Sequence, residues 1–216
     1  RYHAAPGSQR WHVLVVGDLS STSLREFLHE ILHPDHKTDV DNTYLECVVL
    51  QSCVPSYEVR ELLRDKAYAA TLIYLQGSPL NVGDLARAHA ESASAIFVFC
   101  NKFSKNAEEE DAQTILLQYA LKRYVMENSS DSVPKPIFCS QLFQSESRRH
   151  LVPMASLCDS MVFLNEIKMG ILAKSCCCPG TAALIFNLLS SFSDEESNKN
   201  ADGDPWQNEY RGGFDW

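Results

Sequence analysis

The chain is 216 residues long, 45% hydrophobic and 22% charged: globular proportions, with length enough for one core and an appendage. Its formal net charge of −9 and pI near 5.2 argue against a nucleic-acid groove or a broad contact with anionic lipid, and suit cations or basic partners. No apolar run reaches the ~18–20 residues that span a bilayer, so the chain reads as a soluble piece that does not span the membrane. Opening "RYHAAPGSQRW" without Met, it reads as excised from something longer.

Apolar runs alternate with helical patterns. "HVLVVG" (12–17) predicts a buried strand. "STSLREFLHEIL" (21–32) predicts a helix, with Leu24, Phe27, Leu28, Ile31 and Leu32 at helical spacing behind a Ser/Thr cap. The polar loop 33–42 leads into strand "YLECVVLQ" (44–51). "PSYEVRELLRDK" (55–66) puts Pro at a helix start and Val59, Leu62 and Leu63 on one face. Strand "TLIYL" (71–75), helix "VGDLARAHAE" (82–91), strand "SAIFVFC" (94–100) and a long amphipathic helix from Glu108 to Met126 follow. Strand "IFCSQL" (137–142), a short helix at "SESRRHLV" and a strand near "SMVFL" (160–164) complete the alternation.

Most of these strands are continuous apolar runs, the mark of a parallel sheet covered on both faces. The expected class is α/β: a doubly wound, Rossmann-like lobe over residues 10–160. From 161 to 193 the rhythm changes to two helices joined by a Pro179-Gly180 break, a helical hairpin (crossover) appendage. Both helices are too apolar for a free surface, so a partner subunit or neighbouring domain should cover them. Residues 194–216 read as an acidic linker and tail.

Of the eight cysteines, Cys47, Cys100 and Cys139 fall in predicted buried strands, where a thiol behaves as a small hydrophobe. The absence of a CxxC pair or secretory segment favours a reducing, cytosolic setting. The run Cys176-Cys177-Cys178 before Pro179 is open to haem ligation or acylation, but a helix end packed in a core is the expected account.

Dinucleotide binding needs G-x-G-x-x-G at the first strand-to-helix turn and an acidic residue ending the second strand. Here the turn is Gly17-Asp18-Leu19-Ser20-Ser21-Thr22, and the second strand ends Leu50-Gln51. Only the first glycine remains, and Asp18 would repel phosphate. The turn Gln76-Gly77-Ser78 follows the third strand instead, and Asn81 reads as the cap of the next helix. No G-x-S-x-G, H-E-x-x-H or P-loop pattern occurs, so no enzyme is expected.

Two stretches carry oxygen ligands. In the tail, Asn198, Asn200, Asp202, Gly203 and Glu209 match the spacing of a Ca²⁺ loop, with Asn rather than Asp at the first position; a solvated linker is the competing reading. After the first helix, Glu30, His33, Asp35, His36, Asp39, Asp41 and Glu46 gather at the edge of the crevice. A divalent-cation site and a polar surface loop are both open to them.

The order of "HVLVVG", "LREFLHEILHPD", "ECVVLQ", "YLQGSPLNVGDLARAHAESASAIFVFCNK", "EEEDAQTI", "NEIKMGILAKSC" and "PWQNEY" resembles the first RCK (regulator of K⁺ conductance) domain of Slo-type, large-conductance, ligand-activated potassium channels. The resemblance implies a gating-ring module at the cytoplasmic face of a membrane, coupling calcium or sodium binding to pore opening. It implies as partners a companion RCK domain, other subunits of a tetrameric channel, and the pore through an N-terminal linker; no nucleic acid enters. The apolar hairpin would be buried against the companion domain.

The resemblance also implies site residues. Glu30, His33 and Asp35 fall on positions that shape divalent and proton sensing, His33 being the proton-sensing candidate. Glu46 matches the first carboxylate of a Mg²⁺ site whose second is replaced by Ile73. Calcium binding in that family draws on a Met-Arg pair that reads Ser191-Phe192 here. No cofactor is fixed by the sequence; Ca²⁺ or another cation is the candidate ligand, with Glu30, Asp35 and Glu46 as its metal residues. The rival expectation is a nucleotide-binding Rossmann domain of an NAD(P)-dependent oxidoreductase or sensor, against which the broken glycine pattern counts.

Overall fold

A computed structural model of the chain describes residues 11–33, 45–129, 134–151, 159–189 and 191. The first strand, β1 (Trp11–Gly17), buries Val13, Leu14, Val15 and Val16 in succession, so both its faces are covered. Continuous burial of that kind belongs to a central parallel strand. Helix α1 (Ser21–Ile31) follows, capped by Ser20, whose Oγ accepts from the Ser23 N–H.

The alternation continues through β2 (Leu45–Gln51), α2 (Tyr57–Arg64), β3 (Leu72–Gln76), α3 (Val82–Ala88), β4 (Ala95–Phe99), α4 (Ala107–Asn128), β5 (Ile137–Leu142), α5 (Arg148–Leu151) and β6 (Ser160–Phe163). The six strands form one sheet in the order β3-β2-β1-β4-β5-β6, with every neighbouring pair parallel. The chain builds outward from β1 to β3, returns to the middle, and builds outward again from β4. The sheet is doubly wound as expected, with its topological switch between β1 and β4.

Alternate residues of each strand feed different cores. Val13, Val15, Cys47 and Val49 meet Leu24 and Leu28 of α1 and Val59 and Leu62 of α2. Leu14, Val16, Val48, Ile96 and Val98 meet Leu85 of α3 and Leu121 and Val125 of α4 on the opposite face. A smaller cluster of Ile115, Leu142, Leu151 and Phe163 closes the β6 edge.

The helix predicted over 82–91 ends early. His89 takes a left-handed backbone (φ 52°) and a single 3-10 turn, Ala90–Ser92, follows. The reason is tertiary. His12 Nε2 on β1 donates to the His89 carbonyl (3.2 Å), and the Ser94 N–H donates to the His12 carbonyl (2.9 Å), so β1 sets where the chain must turn into β4.

Beyond β6, helices α6 (Leu164–Cys177) and α7 (Thr181–Leu189) form the predicted hairpin, and neither contains a buried residue. Gly180 turns it with φ 91°, and Thr181 Oγ1 donates to the Cys178 carbonyl (2.7 Å). One expectation fails here. Cys176, Cys177 and Cys178 are all exposed, because α6 carries its C-terminal end away from the lobe and no core lies there to receive it. Cys47 and Cys100 are buried as expected, and Cys139 is half-buried. Cys158, the loop residues from 34 to 44 and the tail from 192 onward, Ca²⁺-loop spacing included, lie outside the described residues.

The β5 end of the sheet depends on one carboxylate. Asp111 of α4 is buried and accepts from the Phe143 N–H (2.7 Å), the Gln144 N–H (3.0 Å) and Ser147 Oγ (2.7 Å). Asp111→Ala would strand those donors, and we expect a loss of roughly 2–3 kcal/mol, read as a lower urea midpoint. Asp111→Asn should fall between the two. The cysteines give a second expectation. Burial pushes the Cys47 and Cys100 thiols up to about 12, with Asp111 and Glu110 adding to the effect at Cys100. At pH 8 only about one in ten thousand of either thiol is then ionised, so iodoacetamide should label Cys53 and Cys176–Cys178 in the native chain and spare Cys47 and Cys100. Equal labelling of all would contradict this packing.

Candidate functional site

In a doubly wound sheet the ligand crevice opens at the C-terminal strand ends beside the switch. Here it is a cavity of about 240 Å³ lined by Asp18, Ser20, Glu26, Phe99, Asn101 and Lys102, among others. Gly17 has φ 106°, and a Cβ built on it would stand 2.0 Å from the Phe99 carbonyl oxygen. The one surviving glycine therefore makes room for β4. Asp18 accepts from Asn101 Nδ2 (2.8 Å) across the switch. Gln51, where an acid would bind ribose, turns inward: its Nε2 donates to the Gly17 carbonyl (3.0 Å) and its Oε1 accepts from Tyr74 Oη (3.2 Å).

The turn after β3 has a plain role. Asn81 caps α3 through Gly83 N–H (2.8 Å), and Asp84 accepts from the Ser78 N–H (3.0 Å) and Arg87 Nη1 (2.6 Å). The Ser78 amide, then the Arg87 guanidinium, hold the Asp84 carboxyl below its ordinary range.

The candidate cation residues lie elsewhere. They were expected at the edge of the crevice, but α1 starts there and runs antiparallel to the strands, so its C-terminal end sits at the N-terminal ends of the strands. Glu30 is in the last turn of α1, where its carboxylate accepts from the Ser191 N–H (3.3 Å) and from Ser191 Oγ (2.7 Å), bringing the segment after α7 against the lobe. His33 is buried just past that helix, its ring 5.7 Å from the His29 ring. Asp35 lies outside the described residues.

Glu46 is separated from these by the sheet. It pairs in register with His12 on β1 and shares the face of Val48 and Leu50, the one covered by α3 and α4. Burial lowers the His12 pKa, while the bond to the His89 carbonyl and the Glu46 field raise it; burial prevails. Ile73 is partly buried against that same core. Among the described residues, no three His, Cys, Asp or Glu side chains are grouped closely enough to hold a metal ion.

The residue pattern announces neither the Glu30–Ser191 tie nor the Asp18–Asn101 and Gln51–Gly17 ties. Those partners are 161, 83 and 34 residues apart, and no local spacing links them.

The hairpin is the remaining feature of functional weight. Ile167, Met169 and Leu172 on α6 and Leu184, Phe186, Leu188 and Leu189 on α7 are all exposed. No helix among the described residues is long and apolar enough to cross a membrane.

A Rossmann-like parallel lobe bearing a bare apolar hairpin is the class this fold defines. The family described as "Calcium-activated potassium channel slowpoke-like RCK domain" matches residues 8–169, and the "Calcium-activated BK potassium channel alpha subunit" family matches residues 159–215. The chain belongs to the slowpoke-like RCK domain family of Slo-type potassium channels. It is 31% identical over 203 residues to the calcium-activated potassium channel slowpoke of Drosophila melanogaster, covering 92% of this chain and 16% of that protein's length. The human SLO3 gating ring matches with a TM-score of 0.62 at 19% identity, over 91% of this chain and 30% of that one, a likeness of fold. The TrkA-N domain of the inner membrane protein ybaL from Escherichia coli gives a TM-score of 0.47 at 15% identity, over 76% of this chain and 95% of that one.

Proposed function

We propose that this chain is a gating-ring module at the cytoplasmic face of a membrane, coupling cation binding to the opening of a potassium-channel pore, and not an enzyme. The observation that carries the reading is the hairpin. Two helices without a single buried residue hang on a lobe whose own cores are complete. Exposed apolar surface of that extent marks an interface, and a companion RCK domain of a tetrameric ring is the partner that the family membership supports. A linker from the pore would enter at β1, the strand held on both sides by β2 and β4, so a pull there moves the lobe as one body.

The ion-sensing part of the reading rests on Glu30. A carboxylate in the last turn of a helix faces the negative end of the helix dipole and needs donors or a cation. Ser191 supplies donors, and this links α1 to the segment after α7. A cation held by Glu30 and Asp35 would compete with Ser191 and change how the hairpin's exit is held. Two features weigh against the nucleotide-binding rival: the Gly17 space is taken up by β4, and Asp18 puts a carboxylate, held by Asn101, in the crevice.

Glu30→Ala combined with Asp35→Ala is expected to move the Ca²⁺ dose–response of the full-length channel to higher concentration; superimposable curves would remove this end of α1 from ion sensing. For the interface, hydrogen exchange should find amides of α6 and α7 poorly protected in the chain alone and protected in the assembled channel. Strong protection in the monomer would mean that the helices are satisfied without a partner.

A further inference from the structure

The seam between α4 and β5 buries polar atoms that nothing above employs. Gln118 of α4 is 1% exposed and Ser140 of β5 is 2% exposed. Neither Gln118 Nε2, Gln118 Oε1 nor Ser140 Oγ has a hydrogen-bonding partner among the described residues. Buried side-chain donors and acceptors are nearly always paired, and each exception needs a reason.

Flanking contacts fix where the two side chains stand. Phe138, Ser140 and Leu142 share one face of β5, because side chains alternate along a strand. On α4, Ile115 packs with Leu142, and the Lys122 ammonium lies 5.0 Å from the centre of the Phe138 ring. Gln118 lies between Ile115 and Lys122 at i+3 and i+4 spacing along the same helix face, as Ser140 lies between Leu142 and Phe138. Helix and strand run in opposite senses, so Gln118 comes over Ser140. Across the sheet, the register neighbours of Ser140 are Val98 and Met161, which offer no polar side chain. Lys122 is engaged by the Asp159 carboxylate. The pair thus marks the boundary between the core of Val98, Leu121 and Phe138 and that of Ile115, Leu142 and Phe163.

We propose that Gln118 and Ser140 form an internal binding site for one water molecule, bridging α4 to β5 at this boundary. A buried water makes about three hydrogen bonds, and the amide oxygen, the amide nitrogen and the hydroxyl supply that number with both donors and acceptors. The chemistry selects against other occupants. Gln118 and Ser140 carry no charge to hold a cation, and the Lys122 ammonium stands one turn away. An apolar occupant would leave all three atoms unsatisfied.

A double-mutant cycle in the full chain tests this, with Gln118→Met keeping the shape and Ser140→Ala removing the hydroxyl. With a bridging water each single substitution strands the other residue and lowers Tm by roughly 2–4 °C, and the double variant loses less than the sum. If the atoms are merely orphaned, each substitution removes a desolvation cost and both raise Tm additively, which overturns the proposal. A direct Gln118–Ser140 bond would also couple the two sites. The second readout is therefore a long-lived water cross-peak to the Gln118 side-chain amide by NMR, expected in the parent and lost in the double variant. Coupling without that cross-peak likewise overturns the site.

Discussion

The contact between β1 and β4 is the constraint on which the lobe depends. It joins the half built from β1, β2 and β3 to the half built from β4, β5 and β6, and it is tight enough that only glycine fits at position 17. In folds of this plan the same turn lets a ligand's phosphate approach the main chain. Here the space goes to the neighbouring strand, and the tie from Asn101 to Asp18 crosses the switch above it. The crevice is spanned by its own side chains, and β1–β4 pairing makes the two halves one continuous sheet.

A braced lobe gives meaning to the hairpin. Burying apolar area is worth about 25 cal/mol per Å², yet no residue of α6 or α7 is fully buried in this chain. Such helices persist where a second surface completes them. The link from Glu30 to Ser191 then matters as a point where the rigid lobe and the hairpin's exit touch, two parts 161 residues apart in sequence.

The two cores were legible in the residues because their signals are local. The run Val13 to Val16 can be buried throughout only in the middle of a covered sheet, and Leu24 and Leu28 repeat at helical spacing. The end of α3 was not legible, since His89 turns left-handed to meet His12, 77 residues earlier. Nor was the exposure of Cys176 to Cys178. Their apolar neighbours have the composition of a core, and composition does not say whether the core belongs to the same chain.

The sequence by itself determined the alternation of strands and helices, the parallel sheet and the loss of the glycine cradle, because each follows from periodicity or from residues adjacent in the chain. Only the tertiary structure decided that Glu46 lies across the sheet from Glu30 and His33, that Gln51 turns inward to Gly17, and that Gln118 and Ser140 are buried without a hydrogen-bonding partner among the described residues. Those relations depend on strand register and on the direction in which each helix returns. Neither is written in the spacing of residues along one element.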